Sequence, residues 1–96
     1  MDENGPGTLK CVIGHSPNRS IRALLEEALR SHVRAGDIRP LGHDALIAYS
    51  DASTADLRDW IASRLGPGES VFVAEFERWS TFGSAADRGW LLRRGH

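Results

Sequence analysis

The stretch that decides the fold is residues 53–82, STADLRDWIASRLGPGESVFVAEFERWSTF. Its first residues form a capping box, in which the Ser53 side chain accepts a hydrogen bond from the Asp56 amide and the Asp56 carboxylate reaches back to the start of the helix. Apolar residues then recur at helical spacing and give the segment one apolar face. The residues of this face are Leu57, Trp60, Ile61 and Leu65.

The same stretch predicts a sharp helix end followed by a strand. Gly66, Pro67 and Gly68 end the helix, because glycine adopts the left-handed conformation of a helix C-terminus and proline lacks the amide needed to continue. Residues 70–79 then form the longest strand-like run of the chain. This unit indicates how the chain folds, and by itself it says little about a catalysed reaction or a bound ligand.

Outward from this unit, the N-terminal half predicts a strand and a helix. Residues 9–14, LKCVIG, carry apolar side chains on both faces, which is typical of a central strand. Residues 21–33 have helical apolar spacing, with Ser16 or Asn18 as candidate caps and Gly36 as the stop.

Two shorter strands and a last helix complete the pattern. Pro40 confines the strand at residues 38–41 to a sheet edge, because proline cannot donate to a ladder. Residues 45–50, ALIAYS, predict another strand. Residues 84–87 repeat the capping spacing and predict a short helix with Trp90 on its apolar side.

The order strand, helix, strand, strand, helix, strand predicts an α+β, ferredoxin-like βαββαβ fold with a short C-terminal helix. We expect residues 1–8 to be a flexible tail and residues 9–96 to be a single domain. Two helices on one sheet face leave the other face open. We assign Val71 and Val73 to that open face, where the terminal helix or a second copy of the chain covers them. The predicted dimer interface is Val71, Val73 and Trp79.

Composition limits the classes of function. The chain has 96 residues and a net charge of -1, from 12 basic and 13 acidic residues, so the total charge gives no attraction to nucleic acid or to an anionic membrane. The single cysteine, Cys11, excludes an intrachain disulfide, and its apolar run favours a buried, inert thiol. No signal peptide or membrane-spanning run is present in the sequence, so we expect a cytoplasmic protein that does not bind membranes.

Four segments together resemble the SinR-like proteins, small relatives of the ferredoxin-like CRISPR spacer-acquisition subunit and of the VapD ribonucleases. The segments are LRDWIASRL at 57–65, GPGESVFVAEFE at 66–77, RWSTFG at 78–83 and SAADRGWL at 84–91. The resemblance covers the C-terminal half well and the N-terminal half in outline. It implies a ferredoxin-like fold and a homodimer joined through the sheet.

The chain departs from this family at the end of the first strand. Members regarded as nucleases carry an aspartate there, which binds a divalent metal between the two copies of the dimer. This sequence has Gly14, His15 and Ser16 instead. Magnesium prefers oxygen ligands, so the departure argues against the metal-dependent nuclease mechanism. The resemblance therefore implies a structural or nucleic-acid-associated subunit, and no cofactor is expected.

A nuclease is the main alternative, either a metal-free ribonuclease that uses histidines or a metal enzyme with displaced carboxylates. His15 and Ser16 follow the first strand, and His43 lies in a turn that we expect near it. Two imidazoles with pKa values near neutrality suit the general base and acid of metal-free RNA cleavage. A third class of function, a module that binds another protein through the open sheet face, also remains open.

Three further sets of side chains are candidates for binding. Carboxylates at strand ends offer oxygen ligands for a metal, although without a recognised ligand spacing. Arginines on the first helix and in the C-terminal segment are candidates for phosphate contacts. Aromatic rings are candidates for base stacking, although their spacing favours packing. The carboxylates are Asp51, Glu75 and Glu77. The arginines are Arg19, Arg22, Arg30, Arg34, Arg78, Arg88, Arg93 and Arg94. The aromatic residues are Trp60, Trp79, Phe82 and Trp90.

Overall fold

The computed structural model describes residues 7–94 of the chain. It contains four strands and three helices, with a 3-10 turn at Ala35–Asp37 before the second strand. In chain order the elements are β1 (Thr8–His15), α1 (Arg22–Leu29), β2 (Ile38–Leu41), β3 (Ala45–Ser50), α2 (Thr54–Ala62), β4 (Ser70–Phe76) and α3 (Arg88–Arg93). Residues 1–6 of the predicted tail lie outside the described residues, whereas Thr8 already belongs to β1.

The sheet has the strand order β2-β3-β1-β4, and every neighbouring pair is antiparallel. The predicted α+β, ferredoxin-like arrangement with a short C-terminal helix is confirmed. β1 is a central strand and β2, which contains Pro40, lies at an edge, as the sequence predicts. None of the helices within residues 7–94 has the length and apolar content required to cross a bilayer.

The helix caps agree with the sequence in one case of three. Ser53 caps α2 and accepts a hydrogen bond from the Asp56 amide at 3.0 Å, as predicted. Neither Ser16 nor Asn18 caps α1. Instead the Ile21 amide donates to the Asp44 carboxylate, 23 residues away, at 3.2 Å. α3 begins after Asp87, whose carboxylate accepts from the Trp90 amide at 3.0 Å, so the predicted cap at residue 84 is wrong.

The inner face of the sheet, which faces α1 and α2, carries the larger core. Gly14 lies under α1 so closely that a Cβ atom there would sit 2.7 Å from Ile21 Cγ2. The buried strand residues of this core come from β1 and β3, its helical residues from α1 and α2, and Val71 and Val73 of β4 pack against them. The fully buried members include Val12, Ile21, Leu25, Leu29, Leu46, Ala48, Leu57 and Ile61.

The assignment of Val71 and Val73 to the open face is wrong. Val73 pairs with Val12, whose side chain is buried beneath the helices, and paired residues of antiparallel strands point to the same face. The intervening residue Phe72 therefore points outward. Any contact with a second chain on this strand must use Phe72 and its alternate neighbours.

The outer face of the sheet is partly covered by α3. Trp90 and Leu91 are buried against Leu9 and Ile47, in a second and smaller core. The Trp90 indole Nε1 donates to the carbonyl oxygen of Gly36 at 2.7 Å. This bond fixes α3 to the turn before β2.

Candidate interaction site on the outer sheet face

Three strands of the outer face carry no charged side chain. The register places these side chains in rows across the sheet, since paired residues share a face. The outward positions are Leu9, Cys11, Ile13 and His15 in β1, Ala45, Ile47 and Tyr49 in β3, and Ser70, Phe72, Ala74 and Phe76 in β4. The charged residues Lys10 and Glu75 of these strands both point to the inner face. A solvated sheet face normally alternates polar residues with buried ones, so this face has the composition of a covered surface.

Exposure changes along this face. At one end, the covered end, Leu9 is fully buried beneath α3 and packs with Tyr49 and Phe76. At the other end, the bare end, Ile13 and Phe72 pair across β1 and β4 and are 44% and 60% exposed. Two large apolar side chains thus lie next to each other in solvent.

A cavity of about 280 Å³ lies between the two ends, where the loop after β4 and α3 meet the sheet. Its floor includes Cys11 and Ala74, and its walls include Trp79, Thr81 and Leu91. Burial raises the pKa of the Cys11 thiol, which lowers its thiolate fraction and so its reactivity. Within residues 7–94 the cavity lining contains no charged residue. Trp79 is partly buried here and packs against the smaller core of its own chain.

The histidine candidates lie beside the bare end. The Gly14 amide donates to the Asp44 carbonyl oxygen at 2.8 Å, which places the segments that carry His15 and His43 side by side. Both histidines are exposed. Ser16 is not a free nucleophile, because its hydroxyl donates to the Glu69 carboxylate at 2.9 Å.

Glu69 is the best-bound carboxylate in the described part of the chain. Arg19 donates to both of its oxygens, at 2.7 and 2.9 Å, and the Gly66 amide donates at 2.8 Å. The Arg19 hydrogen bonds, with those from Gly66 and Ser16, lower the pKa of Glu69 to about 2. We call these four residues the Glu69 clamp. It joins the turn after β1 to the turn before β4, and sequence reasoning missed it because Arg19 and Glu69 are 50 residues apart.

The carboxylate candidates do not form a metal site. Lys10 is buried and donates to the Ser50 carbonyl oxygen at 2.6 Å, and its Nζ lies 3.9 Å from Glu75. Burial lowers the pKa of Lys10, while the charges of Glu75 and Asp51 oppose this shift. Within residues 7–94, no three histidine, cysteine or acidic side chains are grouped closely enough to hold a metal ion.

The arginine candidates divide into bound and free side chains. Arg19 is held by the Glu69 clamp, and Arg22 Nη1 donates to the Gly42 carbonyl oxygen at 2.5 Å. Arg94 Nη2 lies 2.7 Å from the Asp37 carboxylate, and its guanidinium lies over the Trp90 ring. Arg78 and Arg93 are exposed, and neither forms a hydrogen bond or ion pair with another residue of the described range 7–94.

The aromatic candidates are mostly packed. Trp60 stacks on His32 with ring centroids 3.8 Å apart, and Trp90 is buried. Phe82 is the exception, since its side chain is fully exposed on the loop between β4 and α3. Among these candidates, Phe82 is therefore the one whose ring is fully exposed and free to stack on a base.

Comparisons of the chain with protein-family models, with curated proteins and with solved structures find no match.

Proposed function

We propose that this chain is a non-catalytic subunit that forms a homodimer through the bare end of its outer sheet face. The observation that supports this most directly is the exposed Ile13–Phe72 pair, which lies among the uncharged outward positions of β1, β3 and β4. Large apolar side chains that lie together in solvent are typical of interaction sites. Burial of the part that is still exposed contributes about 1–2 kcal/mol for each side chain.

The absence of charge on this face favours a second copy over a charged partner. In a two-fold symmetric interface the same patch of both subunits is in contact, so a charged residue near the axis faces the same charge on the partner and is repelled. The outward positions of β1, β3 and β4 avoid this repulsion. They also offer nothing that complements the charge of a nucleic acid or an acidic peptide.

The dimer is tested by sedimentation equilibrium of the intact chain. We expect the unchanged protein to be dimeric and Phe72→Asp to be monomeric, because the aspartate would be buried opposite its own copy. Leu92→Asp is the matched control, since Leu92 is 61% exposed on α3 and lies away from the sheet face. An unchanged protein that stays monomeric at every concentration refutes the homodimer.

We further propose that nucleic acid is bound by Arg78 and Arg93, two of the exposed arginines that have no hydrogen bond or ion pair within residues 7–94. Both lie in the C-terminal segment that also carries the exposed ring of Phe82, and sites for single-stranded nucleic acid combine arginine with aromatic stacking. Doubling in a dimer supplies four guanidinium groups for phosphate contacts.

The nucleic-acid proposal is tested by fluorescence anisotropy with labelled single-stranded RNA and DNA and duplex DNA. We expect affinity to fall steeply with salt and to be lost in Arg78→Gln/Arg93→Gln. The control Arg58→Gln/Arg64→Gln removes the same charge from α2 and the turn after it and should bind normally. No binding at low salt refutes this part and leaves the dimer standing.

The alternative is a ribonuclease that uses His15 and His43, and the proximity of their segments favours it over other catalytic schemes. Incubation of purified protein with RNA and DNA, with and without magnesium, separates the two. We expect no cleavage. Cleavage that is lost in His15→Ala or His43→Ala would replace the non-catalytic proposal with a nuclease.

A further inference from the structure

Phe82 is exposed to an unusual degree. Its relative exposure is 102%, as high as in an extended peptide. The residue before it, Thr81, lines the cavity on the outer face, and the residue after it, Gly83, has a φ of +90° that other residues rarely adopt. The turn at Gly83 thus presents an aromatic ring at the rim of an apolar cavity without inserting it there.

The cavity suits such a ring. Its volume of about 280 Å³ lies near the lower limit of about 300 Å³ for pockets that hold small organic molecules. Its lining combines aromatic and aliphatic side chains, including Phe76, Trp79 and Leu91, with the Cys11 thiol. Uncharged surroundings of this kind favour an apolar occupant.

The cavity is also continuous with the bare end. Cys11 and Ala74 form the row of side chains next to Ile13 and Phe72, and both line the cavity floor. A second copy seated on the bare end therefore lies at the mouth of the cavity. A standard interface removes about 800 Å² from each partner, which requires more than the Ile13–Phe72 pair and brings the rim of the cavity into contact.

We propose that Phe82 of each protomer inserts into the outer-face cavity of the partner, so that the dimer is closed by two reciprocal aromatic plugs. This inference rests on the proposed homodimer and specifies its partner contacts. Two-fold symmetry makes both insertions equivalent, and a chain that presents both a plug and an apolar cavity is complementary to itself.

The first test measures the dimer dissociation constant by analytical ultracentrifugation. We expect Phe82→Ser to weaken the dimer at least about tenfold, because a buried aromatic side chain returns to water. Leu92→Ser makes a similar change at an exposed apolar residue of α3 and should leave the constant unchanged. Since Phe82 has no packing to lose, the variant should keep the thermal midpoint of the monomer.

The second test uses the single native cysteine as a reporter inside the cavity. Phe82→Cys is oxidised with diamide, and the product is analysed by non-reducing electrophoresis and peptide mass spectrometry. We expect a covalent dimer whose disulfide joins the introduced thiol of one protomer to Cys11 of the other. The double variant Phe82→Cys/Cys11→Ser should lose this product.

The outcomes separate this inference from the proposed function. If the unchanged protein is monomeric, both the homodimer and the insertion of Phe82 are overturned. A stable dimer that Phe82→Ser does not weaken overturns the plug alone and leaves the sheet interface. A disulfide within one chain also overturns it, because the ring would then fill its own cavity.

Discussion

The two ends of the outer sheet face are built from similar residues but held in different ways. At the covered end α3 lies on the sheet, and apolar packing around Leu9 and Trp90 excludes water. At the bare end Ile13 and Phe72 stay in solvent, and the adjoining turns are held by the ionic Glu69 clamp. The covered end is therefore stabilised by packing within the chain, whereas the bare end leaves two large apolar side chains in solvent, where the proposed contact with a second copy would bury them.

Removal of the main apolar contact at the covered end should have the largest effect. Trp90→Ala deletes a side chain that is 1% exposed and also loses the hydrogen bond to Gly36. We expect the free energy of unfolding to fall by about 3–5 kcal/mol, the usual cost of such a truncation. Urea unfolding followed by circular dichroism measures it.

The control for this change lies on the same helix. Leu92→Ala shortens an exposed side chain and should alter the free energy of unfolding by no more than about 0.5 kcal/mol. A similar loss for both variants would mean that α3 is not anchored through Trp90.

A matched pair of phenylalanines on β4 compares the two ends directly. Phe76 packs in the core of the covered end, and Phe72 points outward on the same face at the bare end. We expect Phe76→Ala to lower the free energy of unfolding by about 2–3 kcal/mol, since Phe76 is only partly buried. Phe72→Ala should cost less than about 1 kcal/mol.

This pair must be measured by denaturant unfolding at dilutions where the chain is monomeric. At higher concentration the difference should shrink, because Phe72 would then stabilise the dimer. Equal losses at high dilution would contradict the assignment of the two ends.

Turn and capping residues, which act on their immediate neighbours in the chain, made much of the fold predictable. The bounds of β2 and β3 agree with the sequence, because Pro40 and the turn at residues 42–44 limit both strands. The cap of α2 was equally clear, since Ser53 and Asp56 are three residues apart. In each case the interacting groups are neighbours in the chain.

The wrong predictions concern features that depend on contacts between residues far apart in the chain. The run VFVAEF is apolar on both faces, so its pattern does not show which face packs against the helices. The pairing of β4 with β1, which sets Val73 opposite the buried Val12, shows that Val71 and Val73 face the helices. The same limit applies to the α1 cap from Asp44 and to the Glu69 clamp.

The sequence predicts that one face of the sheet is apolar and open, but not which residues form that face. An uncovered apolar sheet face follows from two helices lying on one side of a four-stranded sheet. Which residues form it depends on the pairing of β1 with β4, which the sequence does not state. The extent to which α3 covers the face depends on the Trp90 hydrogen bond to Gly36, across 54 residues.

Acid should loosen the bare end first, with the smallest effect of the three on overall stability. The pKa of Glu69 is about 2 in the folded chain and 4.5 as its ordinary value. Because the folded pKa is the lower one, the clamp stabilises fully above about pH 4.5, and its contribution is lost as the pH falls towards 2. Arg19 is half exposed, so solvent screens much of the attraction.

Amide hydrogen exchange between pH 5 and 2.5 should therefore show earlier loss of protection at the turn amides near Glu69 than in the central strand β1, after correction for intrinsic exchange rates. Glu69→Gln should exchange faster at that turn already at neutral pH and lose most of this pH dependence. Glu27→Gln, at an exposed pair with Arg30, is the control and should behave as the unchanged protein. Uniform loosening of both ends in acid, with Glu69→Gln behaving as the unchanged protein, would show that the clamp does not hold the bare end.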